Sequence, residues 1–355
     1  MTGPSNSRNC EWDAMAGAYA SAAERTGEHI VRRAVAGLQV EVRFAGPALI
    51  PYVLPAFDHL PELSPGPDLV IRAWESAATG VALPPEAGVL SEHTRRGLPG
   101  EGPVDGIATS FLFGSGGLSF YRTATGEAYY WMPSAAATPY YDRCTPLKAI
   151  LHWFLGERGA HILHGGVVGE AGRGVLIAGG SGAGKSTTCL ASLSGGLDYV
   201  SDDHCALTWD GDGAPVAQSI YASGKLTVPS LELLPEFKPQ VANAASLATE
   251  KGLLLLTARY RAQLPVRARL AAMVVLAQTT GRPRIESIGG GAALTALAPS
   301  TLLQLPGARA EALRQMGRLA RVLPAFRLHL GDDVRAVPDA IRNLLQSVGP
   351  PVPAK

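Results

Sequence analysis

The sequence predicts an α/β fold in which a P-loop domain follows an N-terminal α+β domain. The apolar segment GVLIAG (174–179) leads into a glycine-rich loop, a helix and the strand DYVSDD (198–203), an order of elements typical of an α/β sheet. Ahead of it, strands of alternating polarity such as LQVEVRF (38–44) accompany helical segments. A length of 355 residues is sufficient for two domains with separate cores.

The composition is that of a globular protein without a general affinity for polyanions. Hydrophobic residues make up 46% of the chain, charged residues make up 17%, and the formal net charge is +1. No platform of basic and aromatic residues for single-stranded nucleic acid is apparent. The sequence therefore predicts neither a nucleic acid nor an acidic membrane surface as a partner.

The expected location is the cytoplasm. The first residues, MTGPSNSRNCEWDA, lack the apolar core of a signal peptide, and the longest apolar runs, such as AAMVVLA (271–277), are too short to span a bilayer. The cysteines form no CxxC pair and no zinc-ligand spacing; they are Cys10, Cys144, Cys189 and Cys205. We expect reduced thiols.

The N-terminal half should combine a first helix with strands and broken helical turns. The strand 38–44 is expected to be half-buried, because apolar residues alternate with polar ones. The segment 47–57 has helical spacing, but Pro51 and Pro55 should break it. A strand, a loop and a hairpin turning near Gly126 are predicted over 68–75, 95–106 and 118–132.

A helix over 146–156 is predicted to open the second domain, with Thr145 as its cap and Pro146 as its first residue. We place the domains at 1–143 and 144–355. The segment HILHGGVV (161–168) reads as one strand. Further strands and a final helix starting near Pro338 are predicted, the strands over 204–209, 215–221, 253–257, 270–277 and 326–330. The final helix should bury Ile341, Leu344, Leu345 and Val348.

The loop after strand 174–179 matches the phosphate-binding pattern G-x-x-x-x-G-K-[ST]. Its glycines let backbone N–H groups converge on an anion, and the following helix adds its positive N-terminal end. Lys185 can reach the β- and γ-phosphates, and the Ser186 hydroxyl can bind Mg²⁺. The cofactors predicted are ATP and Mg²⁺, and the nucleotide-binding residues are Gly180, Ser181, Gly182, Ala183, Gly184, Lys185, Ser186 and Thr187.

The tetrapeptide Leu193-Ser194-Gly195-Gly196 resembles part of the signature motif of ABC transporter ATPases, but it stands at the end of the helix that the glycine-rich loop opens. Glycines just beyond a helix are ordinary C-caps, so we interpret the tetrapeptide as a helix end.

Two adjacent acids, Asp202 and Asp203, close the strand 198–203. A single helix separates this strand from the glycine-rich loop, so we expect it to lie beside strand 174–179 with its end at the same sheet edge. One carboxylate could hold Mg²⁺ while the other accepts a proton from an attacking hydroxyl. A solvated Asp-Asp turn is the alternative. Asp332 and Asp333 are expected to be turn and cap residues.

The stretch from His164 to Asp203 resembles the catalytic core of HPr kinase/phosphorylase: a His-Gly, a turn, GVLIAGGSGAGKS, one helix and a strand ending in Asp-Asp. The resemblance covers roughly 160–205 well and implies a fold of the HPr kinase/phosphoenolpyruvate carboxykinase type. The whole layout is similar to HPr-kinase-related proteins of peptide-modification clusters, including lasso-peptide precursor kinases, through PDLVIRAW (67–74) and LHGGVV.

The resemblance implies an ATP-dependent kinase whose acceptor is a hydroxyl, most simply a serine of a peptide or small protein, with the N-terminal domain recognising that acceptor. It places His164 at the active site, although a hydrogen-bonded histidine at a strand end is the alternative. Lys185 would bind phosphate and Ser186 would bind Mg²⁺. Asp202 would be the general base, and Asp203 would assist the metal.

The sequence departs from the family at two points. Thr187 replaces a glutamate that often follows GKS, and SIYASGKL (219–226) replaces a glutamate-containing stretch. Both departures bring a second metal contact and the reverse phosphorylase reaction into question. Lys225 is either a phosphate contact or a solvated loop lysine. A basic stretch is either a substrate contact or a solvated face; its members are Arg259, Arg261, Arg267 and Arg269.

Two other functions are compatible with the same motifs. The chain could bind nucleotide as a regulatory protein without transferring phosphate, or it could phosphorylate a small molecule. A homo-oligomer is compatible with the sequence, which carries no motif that identifies the acceptor.

Overall fold

The computed structural model describes residues 4–62, 66–88, 103, 105–112, 114–305 and 309–349. These residues form a mixed α/β structure that divides into two compact units. Among them, the first unit takes 4–55, 60–158 and Leu305, and the second takes 56–59, 159–304 and 309–349. The chain therefore passes to the second unit after Arg158 rather than at the expected 143/144, and a short earlier segment also belongs to that unit.

The described helices range from a single turn to the 23 residues of the first. They are α1 (Pro4–Thr26), α2 (Ile50–Val53), α3 (Ser76–Thr79), α4 (Pro85–Gly88), α5 (Tyr140–Cys144), α6 (Lys148–Glu157), α7 (Lys185–Ser194), α8 (Val228–Leu233), α9 (Thr257–Tyr260), α10 (Gly290–Gln304), α11 (Arg309–Val322) and α12 (Val337–Ser347). Six short 3₁₀ turns accompany them at Leu54–Phe57, Ala135–Ala137, Pro235–Gln240, Ala244–Ser246, Arg261–Gln263 and Val334–Ala336.

The strands form one sheet in the first unit and two in the second. They are β1 (Glu28–Val35), β2 (Leu38–Ala45), β3 (Leu69–Glu75), β4 (Ile107–Leu112), β5 (Gly117–Arg122), β6 (Glu127–Met132), β7 (His161–His164), β8 (Gly166–Glu170), β9 (Arg173–Ala178), β10 (Asp198–Ser201), β11 (His204–Trp209), β12 (Pro215–Ser219), β13 (Ser223–Leu226), β14 (Gly252–Leu255), β15 (Arg267–Ala277), β16 (Arg284–Ile288) and β17 (Ala325–His329).

The first unit is a six-stranded sheet in the order β1-β2-β3-β6-β5-β4, packed on α1. Trp12, Met15 and Tyr19 of α1 are buried in one apolar cluster with Trp74 and Phe120 of the sheet. The predicted strand at 68–75 and hairpin at 118–132 are confirmed as β3 and β5–β6. The predicted loop over 95–106 lies outside the described residues except for 103, 105 and 106.

Strand β2 is more buried than its alternating sequence suggested. Glu41, expected to face solvent, is only 1% exposed. Its carboxylate accepts hydrogen bonds from Arg32 and Arg43, each at 2.7 Å. Two long basic side chains therefore cover the polar face of this strand, and this covering is not visible in the alternation itself.

The expected start of the helix over 146–156 is wrong by two residues. Helix α6 begins at Lys148 after Leu147, which has a left-handed backbone with φ of 59° and provides no side-chain cap. Thr145 is instead the C-cap of α5, and its hydroxyl donates to the Tyr141 carbonyl at 3.1 Å. The end of α5 and the beginning of α6 therefore lie in the segment where the sequence suggested the start of one helix.

The second unit is a nine-stranded mixed sheet with helices on both faces. The central strand β9 is buried on both sides, as expected for a sheet inside an α/β unit. Val175 and Ile177 belong to the cluster that includes α7 and α12, whereas Leu176 and Ala178 belong to the cluster that includes α10 and α11. Strand β15 pairs in parallel with β9 and with β17.

The expected neighbour of the glycine-rich loop's strand is wrong. The segment HILHGGVV forms two strands: β7 pairs with β11, and β8 pairs with both β9 and β10. Strand β8 therefore lies between β9 and β10. Because both pairings are antiparallel, β10 runs in the same direction as β9, and their carboxyl ends share one sheet edge.

The remaining elements follow the sequence closely. Strands β11 and β12 form the predicted hairpin, β14, β15 and β17 overlap the other predicted strands, and α12 buries Ile341, Leu344 and Leu345. Asp333 caps the turn at Val334–Ala336 through the Arg335 N–H. Within the described part of the chain, every helix is too short or too polar to cross a bilayer.

Candidate active site

The loop from Gly179 to Gly184, here called the glycine loop, connects β9 to α7 at the shared sheet edge. Gly184 has φ of 100°, a left-handed conformation that a side chain would strain, and it directly precedes the first residue of α7. The first N–H groups of a helix have no partner within the helix. The loop and α7 therefore present backbone donors at one place, as anion binding requires.

A cavity of about 270 Å³ opens over the glycine loop. Seven of the eight predicted nucleotide-binding residues line it, and the exception is Ala183, which packs against the apolar core. His164, Asp203 and Lys225 line the same cavity. The structure thus brings the glycine loop, one of the paired acids and the histidine of the His-Gly pair together.

The Lys185 ammonium is directed back onto the glycine loop. Its Nζ donates to the Gly179 carbonyl at 2.7 Å and to the Gly180 carbonyl at 3.2 Å. Burial lowers the pKa of Lys185, and the Asp203 carboxylate partly offsets that effect. A positive charge is therefore held against the backbone that would surround a phosphate.

Asp202 lies beneath the cavity and is 2% exposed. Burial raises its pKa, the adjacent Asp203 carboxylate raises it further, and a hydrogen bond with the Ser186 hydroxyl opposes the rise. Its Oδ2 is buried and has no hydrogen-bond partner among the residues that the structure describes. A buried carboxylate oxygen without a partner is costly, so this atom indicates a place for a cation.

The oxygen atoms at Ser186 and Asp202 fit a Mg²⁺ ion. Mg²⁺ prefers oxygen ligands, and in phosphoryl-transfer sites it is bound through one or two carboxylates together with substrate phosphates and water. Ser186 lines the cavity, and Asp202 presents its unpartnered oxygen close to that hydroxyl. Among the described residues, no cluster of three or more His, Cys, Asp or Glu side chains forms a self-contained metal site.

Asp203, in contrast, has nitrogen donors on both carboxylate oxygens. His164 Nε2 lies 2.8 Å from Oδ1, and Lys225 Nζ lies 2.7 Å from Oδ2. His204 Nδ1 is 3.2 Å from Oδ2. Burial alone would raise the pKa of Asp203, but these donors hold it well below its usual range.

His164 ends β7 and is 5% exposed. Its backbone N–H donates to the Thr301 hydroxyl at 3.1 Å, and Gln304 Nε2 lies 3.5 Å from its Nε2. Its Nδ1 is buried, and within the described part of the chain it has no hydrogen-bond partner. The two ring nitrogens of His164 therefore differ, because only Nε2 is hydrogen-bonded to Asp203.

Glycine at 165 and 166 allows the strands of this region to approach closely. A Cβ on Gly166 would lie 2.3 Å from Cys189 Sγ and 3.6 Å from the Asp202 Cα. A Cβ on Gly165 would lie 3.1 Å from the Ile177 carbonyl oxygen. The two glycines after His164 are therefore explained by close packing. Without side chains at these positions, His164 and the paired acids can lie next to α7 and β9.

Sequence reasoning missed several residues that line the cavity, namely Thr227, Ser230, Lys251 and Gln304. Thr187, which stands where the resembled family often has glutamate, donates to Ser230 Oγ at 3.0 Å. Ser230 Oγ also lies 2.9 Å from Thr227 Oγ1, and Thr227 caps α8. The spacing Thr227-Val-Pro-Ser230 was a usable capping signal, whereas the position of Gln304 depends on helix packing.

Two other sequence features lie outside the cavity. The interpretation of Leu193–Gly196 as a helix end is supported, because the Gly195 N–H donates to the Ala191 carbonyl at 2.8 Å beyond the last residue of α7. Arg267 and Arg269 pair with Asp210, and they are 51% and 40% exposed. The basic stretch is thus a solvated, ion-paired face at these two positions.

No protein-family model matches the chain, and no curated protein matches it. Among solved structures, the chain is similar to the structure of the Hpr(Ser) kinase/phosphatase from Coxiella burnetii, with 12% sequence identity and a TM-score of 0.32. The match covers 52% of this chain and 97% of that chain. At these values the similarity adds no weight to a functional argument, which depends on the cavity and its residues.

Proposed function

We propose that this chain is a kinase that transfers the γ-phosphoryl group of ATP to a hydroxyl, most simply a serine of a peptide or small protein. The observation that supports this best is the position of Asp203 and His164 in the cavity that Lys185, Ser186 and the glycine loop line. A nucleotide-binding loop alone would suit many functions, but a carboxylate–histidine pair opposite it supplies what an attacking hydroxyl needs.

In this proposal the glycine loop and Lys185 bind the β- and γ-phosphates. Ser186 and Asp202 would hold Mg²⁺, because Asp202 offers an unpartnered carboxylate oxygen beside the Ser186 hydroxyl. When bound, Mg²⁺ neutralises charge on the phosphate oxygens and orients them. Asp202 thereby takes the metal role that the sequence suggested for Asp203.

Asp203 and His164 would act on the acceptor. The hydroxyl oxygen bonds to the γ-phosphorus, the bond from that phosphorus to the β–γ bridging oxygen breaks, and ADP leaves with the electron pair. The proton of the hydroxyl passes to the Asp203–His164 pair, whose members are 2.8 Å apart. This assignment reverses the expected roles of the two aspartates, because Asp203 lines the cavity and Asp202 lies beneath it.

The proposed acceptor class rests on the sequence resemblance to kinases of peptide-modification clusters, and recognition by the N-terminal unit belongs to the same proposal. The full chain should be incubated with γ-labelled ATP, Mg²⁺ and the peptides encoded by neighbouring genes. Label on a serine of one peptide supports the proposal. Release of labelled phosphate without a labelled peptide would instead favour a nucleotide-binding regulatory protein, and a labelled metabolite would favour a small-molecule kinase.

The two aspartates can be separated by their response to metal. Asp202→Asn should raise the Mg²⁺ concentration needed for half-maximal transfer by about tenfold or more, because a ligand oxygen is lost. Asp203→Asn should lower kcat by about 10²–10⁴-fold with little change in that concentration. The opposite pattern would return the base role to Asp202. Asp210→Asn, at an exposed ion pair outside the cavity, is the control and should leave both values unchanged.

A further inference from the structure

Three of the six lysines in this chain, Lys185, Lys225 and Lys251, line the cavity over the glycine loop. Most of the chain's basic residues are arginines, yet the described residues that line this cavity include none. Lysine supplies a compact point charge suited to a phosphate oxygen. The concentration of lysine here points to a phosphate-binding role beyond that of Lys185.

Lys225 is held firmly in position. It lies on β13, which pairs with β14 and packs on α7, since a Cβ on the adjacent Gly224 would be 3.2 Å from the Leu190 side chain. The Tyr199 hydroxyl, from β10, donates to the Ser223 carbonyl at 2.6 Å. The strand is thus attached to both α7 and β10, the elements that flank the cavity.

The ammonium of Lys225 is hydrogen-bonded to the Asp203 carboxylate, which a second divalent cation would need as a ligand. Its Nζ is 2.7 Å from Asp203 Oδ2, while His164 Nε2 occupies Oδ1. A divalent cation bound at Asp203 would face this ammonium at short range, where like charges repel strongly. The unpartnered oxygen of Asp202 serves one cation only.

We propose that Lys225 takes the place of a second divalent cation at the phosphoryl group during transfer, so that this site works with one divalent cation. This rests on the proposed function. Lys185 and Ser186, the residue that would help to hold the cation, begin α7 after the glycine loop, whereas Lys225 reaches the same cavity from β13. Lys225 forms and breaks no covalent bond; its hydrogen bond passes from Asp203 to a γ-phosphoryl oxygen when ATP binds and strengthens as negative charge develops there.

The first test counts cations. The full chain is saturated with the β,γ-imido analogue of ATP and titrated with Mn²⁺, and free Mn²⁺ is measured by electron paramagnetic resonance. One tightly bound Mn²⁺ per chain is expected. Two tightly bound Mn²⁺ per chain would overturn the proposal, since the second would take the place assigned to Lys225. Lys225→Glu should convert the count from one to two.

The second test uses Lys225→Met with Lys238→Met as its control, because Lys238 is an exposed lysine that pairs with Glu232 outside the cavity. Lys225→Met should lower kcat for transfer or ATP hydrolysis by about 10²–10³-fold, the effect of removing one donor to a developing charge. The same variant should bind the imido analogue more weakly than the unmodified chain does, while its ADP affinity should change by no more than about twofold. Equal loss of ADP and analogue affinity, or full activity, would refute the role.

The two tests also separate this inference from the function on which it rests. If no acceptor is phosphorylated but one Mn²⁺ binds and Lys225→Met weakens only the analogue, the proposed kinase fails, while Lys225 remains a ligand of the γ-phosphate beside a single cation. If Lys225→Met does not fold, Lys225→Arg is tested in its place. We expect Lys225→Arg to keep the difference between analogue affinity and ADP affinity, and complete loss of that difference would count against the proposal. The Mn²⁺ count on the unmodified chain needs no variant.

Discussion

At the scale of single residues, the site depends on glycine where the strands approach most closely. A methyl group at Gly166 would overlap the buried Cys189 sulfur at 2.3 Å. We expect Gly166→Ala to lower the free energy of unfolding by about 1–3 kcal/mol, because overpacking forces neighbouring groups to shift. Urea unfolding measures this loss, and weaker nucleotide binding should accompany it because Asp202 lies next to the clash.

Two variants show whether the loss at Gly166 comes from that contact. Gly291→Ala, in α10, adds a methyl group with no atom within 4 Å and should leave stability unchanged or slightly higher. Cys189→Ala should recover part of the stability lost in Gly166→Ala, because it removes the overlapped sulfur. Additive losses in the double variant would show that the sulfur is not the cause.

At the scale of elements, the strand order had to be learned from the structure. The unit from β9 through the glycine loop to α7 was predictable because its motif and apolar strand are contiguous in sequence. The position of β10 was not, because HILHGGVV contains enough apolar residues for one strand and its division at Gly165 depends on close packing against β9. Pairing between strands is set by tertiary contacts that a local pattern does not contain.

Tertiary contacts that the local sequence does not contain also set the roles of the two aspartates in the site. Asp202 and Asp203 were identified as a pair from the sequence, but their different surroundings arise from elements far apart in the chain. Lys225 reaches Asp203 from β13, and His164 reaches it from β7. Adjacent residues at a strand end point in different directions, so proximity in sequence could not assign their roles.

A link between two short 3₁₀ turns gives an element-scale prediction about pH. Arg335 donates to both oxygens of Glu236 at 2.6 Å, and the Ser194 hydroxyl also hydrogen-bonds to it. Burial opposes ionisation, but these donors lower the pKa of Glu236 from 4.5 to about 2. The folded state therefore gains stability from this carboxylate above pH 4.5, and the gain disappears as the pH falls toward 2.

Arg335→Met should accordingly cost about 1 kcal/mol of unfolding free energy at pH 7, a modest value because the arginine is half-exposed. The difference from the unmodified chain should shrink steadily below about pH 4.5 as Glu236 is protonated in the unfolded state. Urea unfolding at several pH values measures it. A difference independent of pH would mean that lost packing of the arginine stem, rather than its charge, explains the effect, and Glu236→Gln should then be nearly neutral.

At the scale of the whole molecule, the second unit is not a continuous piece of chain. Residues 56–59 belong to it although they precede most of the first unit. The Ala222 N–H donates to the Ala56 carbonyl at 2.7 Å, and His59 Nε2 lies 2.7 Å from Ser219 Oγ. The Phe57 ring packs on Tyr221 with centroids 5.4 Å apart. The segment thus completes the region between β12 and β13.

A fragment cut at the expected boundary, 144–355, should therefore be less stable than the full chain. It lacks Phe57, which is 4% exposed, and the loss of such a side chain costs about 3–5 kcal/mol. It also retains α6, whose buried Phe154 and Leu155 belong to the first unit. Thermal unfolding of the fragment should be broad or occur at a clearly lower temperature than that of the full chain.

Adding a synthetic peptide of residues 47–62 in excess tests the cause of that instability. Binding to the folded fragment should raise its unfolding temperature by mass action. The fragment 159–355, which lacks α6, should respond in the same way. A peptide with both Phe57→Ala and His59→Ala should have no effect, since it lacks the ring and the hydrogen bond. A fragment 144–355 that unfolds cooperatively at the temperature of the full chain without any peptide would contradict the assignment of 56–59 to the second unit, because the segment would then contribute nothing that the fragment needs.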